Sequence, residues 1–167
     1  MLIRQKLIAT VFLAALAPLV HAQTQTSGLI SQRSISADAA VALATTALQR
    51  CRADGYTVSI TVLNRSGRAV VALSDDNASP HTLENSERKA FTAFTTRGPS
   101  GEVAKRGQPG LSAFLLLKNV TALEGGLPIL AGTEIVGAVG VSGAPGGDKD
   151  AACAQAGIDH VAKLLRN

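Results

Sequence analysis

The chain has 167 residues, 16 basic and 12 acidic side chains, three histidines, two cysteines and no tryptophan. Its excess of positive charge is spread over separate arginines and lysines, and aromatic residues make up only 3% of the sequence. Both the basic stripe and the stacking platform of a nucleic-acid binder are therefore missing, and the length suits one domain with a sizeable core.

Arg4 and Lys6 precede an apolar run from Leu7 to Val20, which ends on Val20-His21-Ala22. Basic start, apolar middle and small-residue end read as a secretory signal peptide over residues 1–22, cleaved after Ala22. The run is shorter than the roughly 20 residues that span a bilayer, Pro18 sits near its end, and no later run is long and apolar enough to span. Cleavage leaves 14 basic against 12 acidic side chains, a net charge of +2. The expected product is periplasmic or secreted, with a polar leader over 23–33 and a domain over 34–167. In that compartment a disulfide between Cys51 and Cys153 is the first reading, two separate buried thiols the alternative.

Ser36 suits a helix N-cap, and Ala40, Val41, Ala44, Leu48 and Cys51 recur at helical spacing until Gly55 stops the first helix. From Tyr56 to Leu63, Val58, Ile60 and Val62 alternate with Thr57, Ser59 and Thr61, giving a strand that Asn64-Arg65-Ser66-Gly67 turns into a partner over Arg68 to Ser74. Pro80 then opens a second helix reaching about Thr96, with Leu83, Ala90, Phe91 and Phe94 as its buried stripe. Gly98 to Gly110 is rich in breakers, with a short helix around Glu102 to Arg106, and Phe114 to Leu117 is a brief apolar run. Leu127 to Leu130 and Glu134 to Val141 form a second hairpin through Ala131-Gly132-Thr133. Asp148 begins a last helix on which Cys153, Gly157, Val161 and Leu164 share a face. Two hairpins set among helices predict an antiparallel sheet flanked by helices, an α+β domain.

The segment Gly125-Gly126-Leu127-Pro128-Ile129, followed by Glu134-Ile135-Val136-Gly137-Ala138-Val139-Gly140-Val141-Ser142-Gly143 and then Asp148 and Asp150, resembles the hallmark of the GlcG-like, haem-degrading domain family. Pro80 to Phe94, PHTLENSERKAFTAF, is similar to that family's loop-to-helix segment. The resemblance runs from about Ser36 to Leu165. It implies a profilin-like fold, with a five-stranded antiparallel sheet between helices, assembly into homo-oligomers, and haem or another tetrapyrrole such as a corrinoid as ligand in some members.

Within that frame His81 is the candidate axial ligand, since imidazole commonly holds haem iron; a capping or surface histidine is the alternative. Arg88 lies two helical turns on, with Glu84 between, and a guanidinium there can take a propionate. Lys89 can serve a propionate as a point charge, and the Thr82 hydroxyl is a weak ligand or a cap. The plainer reading of this face is a solvated surface with a Glu84–Arg88 pair. The glycine-rich turn Gly143 to Gly147 reads as structural: it lacks the lysine of a phosphate loop, and Gly137 and Gly140 let a helix approach the strand. No G-x-S-x-G elbow is present, the cysteines look structural, and the histidines and cysteines stand at none of the usual zinc spacings, with His160 a surface or packing residue. Three functions follow in order. The first is an exported tetrapyrrole-binding protein. The second is an enzyme degrading haem or acting on a small metabolite in the same pocket, and the third is a ligand-free accessory or sensory subunit.

Overall fold

The Ser36 hydroxyl accepts a hydrogen bond from the Ala39 amide at 3.2 Å, and this cap opens helix α1, Ala37–Ala53, as its position in the sequence predicts. The computed structural model describes residues 28–105 and 111–166, so the segment read as a signal peptide, residues 1–22, and the first part of the leader, 23–27, lie outside the described residues. The chain divides after Ser31 into two units, the second of which, residues 32–167, carries every element named here.

After α1, Gly55 takes a positive φ of 82° and turns the chain into the hairpin of β1, Ser59–Asn64, and β2, Ala69–Ser74. Helix α2 follows over His81–Thr96, then two short helices, α3, Glu102–Lys105, and α4, Leu111–Leu115. A second hairpin, β3, Gly126–Ala131, and β4, Glu134–Ser142, leads into the last helix, α5, Gly147–Val161. The sheet order is β2-β1-β4-β3 with all neighbours antiparallel, so the two hairpins join through β1 and β4.

One face of the sheet is apolar. Val58, Ile60, Val62, Val139 and Val141 pack there against α1 and α5 through Leu43, Ala47, Ala154 and Val161. Cys51 and Cys153 form a disulfide between these helices, Cα–Cα 5.6 Å, and the bridge is fully buried. The opposite face is lined by small and hydroxyl-bearing residues, and α2 lies on it. A Cβ on Gly140 would run into the Ser86 carbonyl oxygen, and one on Gly126 into that of Lys89. Both glycines thus let the helix backbone lie directly on the sheet, the role foreseen for Gly140. Gly137 instead faces the Leu63 carbonyl and Ile35.

Three expectations need correction. Among the described residues the sheet has four strands, not five: the run Phe114–Leu117 leaves α4 in turns, with Leu116 and Leu117 exposed, and pairs with no strand. Leu83 is exposed and Phe91 and Phe94 only partly buried, because α2 seats Thr82, Ser86, Lys89, Ala90 and Ala93 on the sheet in their place. Val41 and Leu164 also face outward, and the α1 contact runs through Leu43 and Ala47.

Candidate functional site

The polar face of the sheet ends in a cleft of about 460 Å³ where the start of α2, the β4–α5 turn and the segment Ala122–Glu124 converge. Thr82 in its wall belongs to a set of buried hydroxyls between α2 and the sheet. Ser59 Oγ lies 2.8 Å from both Ser74 Oγ and Thr82 Oγ1, and Thr82 Oγ1 donates to the Ser79 carbonyl at 2.7 Å. One turn further on, Thr61 Oγ1 and Ser86 Oγ are 2.7 Å apart. The polar residues that alternate along β1 are therefore buried under α2, each hydroxyl with a partner.

At the base of the cleft the Lys89 ammonium donates to Asp150 Oδ2 at 2.7 Å and to the Val141 carbonyl at 3.0 Å. Asp150 Oδ1 in turn accepts from the Ala144 amide at 3.0 Å. Burial pushes the Asp150 carboxyl above its ordinary range, and the hydrogen bond and charge of Lys89 offset part of that rise. The glycine-rich turn does gather around an anion, but the anion is this internal carboxylate. Asp150 stands two residues past the Asp148 that marks the helix start in sequence. Its role is set by a lysine 61 residues away, a pairing that spacing cannot disclose.

The four residues proposed from the resemblance have different fates. His81 is exposed at the first position of α2 and lines the cleft. It also borders, with Glu84, Asn85 and Arg88, an adjoining hollow of about 220 Å³, so His81 and Arg88 do share one face. Arg88 is half-buried and donates from Nη2 to the Val120 carbonyl at 2.8 Å, leaving its other N–H groups available. Thr82 and Lys89 line the cleft but are 2% and 3% exposed, and both are engaged in the hydrogen bonds given above. The solvated face expected around Lys89 is thus confined to its neighbours. Asn85, which donates to Ser142 Oγ at 3.3 Å, and Glu124 also line the cleft; neither carries a sequence signal of its own.

An exposed imidazole thus stands between a polar cleft and a hollow bordered by a guanidinium with N–H groups to spare, on a four-stranded antiparallel α+β domain. The chain belongs to the family described as haem degrading protein HbpS-like, whose model matches residues 35–159. It is 31% identical over 108 residues to the protein GlcG of Escherichia coli, covering 65% of this chain and 81% of that one. A crystal structure of HbpS superposes with a TM-score of 0.75 at 35% identity, covering 85% of this chain and 98% of the other. The crystal structure of a PduOC:heme complex shares the fold, with a TM-score of 0.69 at 23% identity and coverage of 76% of this chain and 94% of the other. No helix among the described residues is long and apolar enough to cross a membrane.

Proposed function

We propose that this protein is an exported, homo-oligomeric haem-binding protein in which His81 ligates the iron and Arg88 meets a propionate. The observation that carries the reading is the exposed His81 imidazole, which opens a cleft whose volume of about 460 Å³ falls in the range of small-molecule sites. The donor set fits the group: imidazole suits haem iron, and the guanidinium, with one N–H group on Val120, keeps others for a carboxylate. Lys89 contributes to the wall, its charge already answered by Asp150. When bound, haem would supply a coordinating iron and a planar apolar surface; the chain's own part is to hold and orient it. The family description and the haem complex of a structural relative favour haem over a corrinoid. The disulfide between α1 and α5 suits the oxidising compartment to which a signal peptide over residues 1–22 would deliver the chain.

Haemin titrated into the purified protein should give a saturable, sharpened Soret band. That band should decay under ascorbate and oxygen, with catalase present, no faster than that of free haemin. Decay faster than free haemin would convert the reading to haem-degrading enzyme, and the absence of saturable binding would leave the accessory or sensory role.

A further inference from the structure

A second cavity, of about 530 Å³, lies at the end of α2 and shares no lining residue with the cleft, and Arg65, Arg97 and Glu134 line it together with Phe94, Leu130 and Ile135. Two independent features mark it. Arg65 Nε is, among the described residues, the only buried side-chain nitrogen or oxygen without a hydrogen-bond partner. A buried donor of this kind is expensive to leave unmade, and its usual explanation is a group that completes it. Arg97, which ends α2, has a φ of 56°, in the left-handed region that glycine favours, although Gly98 stands next in the chain. A residue with a Cβ there costs about 1 kcal/mol relative to glycine, so the position of this guanidinium is held against a backbone preference.

The backbone around both arginines is fixed. The Arg65 amide donates to Ser34 Oγ at 3.2 Å, Asn64 Oδ1 accepts from the Ser66 and Arg68 amides across the same turn, and the Arg97 amide donates to the Ala93 carbonyl. Two guanidiniums against the single carboxylate of Glu134 leave one net positive charge in the cavity, and the two hydroxyls of Thr95 and Thr133 complete a lining that is otherwise apolar. We infer that this cavity is a binding site for a small monoanionic carboxylate with an apolar body, its acid group held by Arg65 and Arg97 and its body lying on Phe94, Leu130 and Ile135. The fork of a guanidinium matches a carboxylate in two parallel hydrogen bonds, and the exposed Arg97 side chain brings such a fork to this cavity.

The test uses sodium benzoate, with neutral benzamide as its control, on the mature protein at low ionic strength. Benzoate at tenfold excess over its Kd should raise Tm by about 3–6 °C, and benzamide should not. Arg97→Gly and Arg65→Gln should each weaken benzoate binding at least tenfold by calorimetry. Arg97→Gly should at the same time equal or exceed the wild-type Tm without ligand, because it relieves the left-handed arginine; the loss of binding then cannot be ascribed to unfolding. Haemin binding should be unchanged in both variants, which keeps this site separable from the cleft. Equal responses to benzoate and benzamide, an unaltered benzoate affinity in Arg97→Gly, or no response of the wild type to benzoate or butyrate would each overturn the assignment. So would a change of oligomeric mass in Arg97→Gly without any carboxylate response, which would make the cavity a contact between copies of the chain.

Discussion

Lys89 and Asp150 meet at 2.7 Å with side chains 4% and 3% exposed, tying the middle of α2 to the first turn of α5 beneath the cleft. Removing one member strands a buried charge, whereas removing both leaves a void of neutral character. Lys89→Met should therefore cost about 3–5 kcal/mol in urea denaturation. The double variant Lys89→Met/Asp150→Leu should recover much of that loss, short of full recovery because the Ala144 amide loses its acceptor. If the single and double variants were equally unstable, charge stranding would not be the cause.

The Cys51–Cys153 bridge spans 102 residues of sequence and lies within the α1–α5 contact. Cross-linking so long a loop removes much of the freedom of the unfolded chain, about 3–5 kcal/mol in the chain-entropy model. Cys51→Ala/Cys153→Ala should lose stability of that order in equilibrium denaturation. Because neither sulfur reaches solvent, thiol trapping and mass spectrometry should find the native bridge intact in dithiothreitol and reduced once denaturant is added. Rapid reduction of the native protein would show that α1 and α5 separate readily.

Two carboxylates set opposing pH dependences. The Arg52 guanidinium donates to Asp75 at 2.7 to 3.2 Å and holds its carboxyl below the usual range, so Asp75 stabilises the fold above the ordinary aspartate value and loses that contribution as pH falls through its lowered one. Asp150, raised by burial, works the other way: its contribution is present below the ordinary value and lost as pH rises through the raised one. With that ordinary value near pH 4, Asp75→Asn should show a shallower loss of urea midpoint on acidification below about pH 4 than the wild type. Asp150→Asn should show a steeper loss from just above that pH downward. Parallel profiles for all three proteins would remove both carboxylates from the acid response.

The elements are legible because each rests on local chemistry: Ser36 as cap, the alternation of Val58, Ile60 and Val62, and the Gly132 turn can be read within a few residues of themselves, while the bridge is legible because the chain has only two cysteines to pair. The packing of α2 is not legible in the same way. Its sequence offers Leu83, Phe91 and Phe94 as a plausible buried stripe, and only the opposing surface, built from Ser59, Thr61, Gly126 and Gly140, makes small hydroxyl residues the better fit. His81 and Arg88 fall where helical spacing puts them, on one face. Lys89 is one position round from Arg88, and that rotation takes it from the solvated face into the pair with Asp150.

The same rotation separates the proposed ligand from the scaffold at the start of α2, where His81 is exposed and its neighbour Thr82 is buried in the Ser74–Ser59–Thr82 hydroxyl chain. Thr82→Val deletes a satisfied buried hydroxyl and the bond to the Ser79 carbonyl, and should cost about 1–3 kcal/mol while the Soret band of added haemin keeps its position. His81→Ala, at an exposed site, should change stability by no more than about 0.5 kcal/mol and abolish the sharpened band. A haemin spectrum that survived in His81→Ala and was lost in a still-folded Thr82→Val would exchange the two roles. It would place the iron on the hydroxyl chain, with the imidazole outside the coordination sphere.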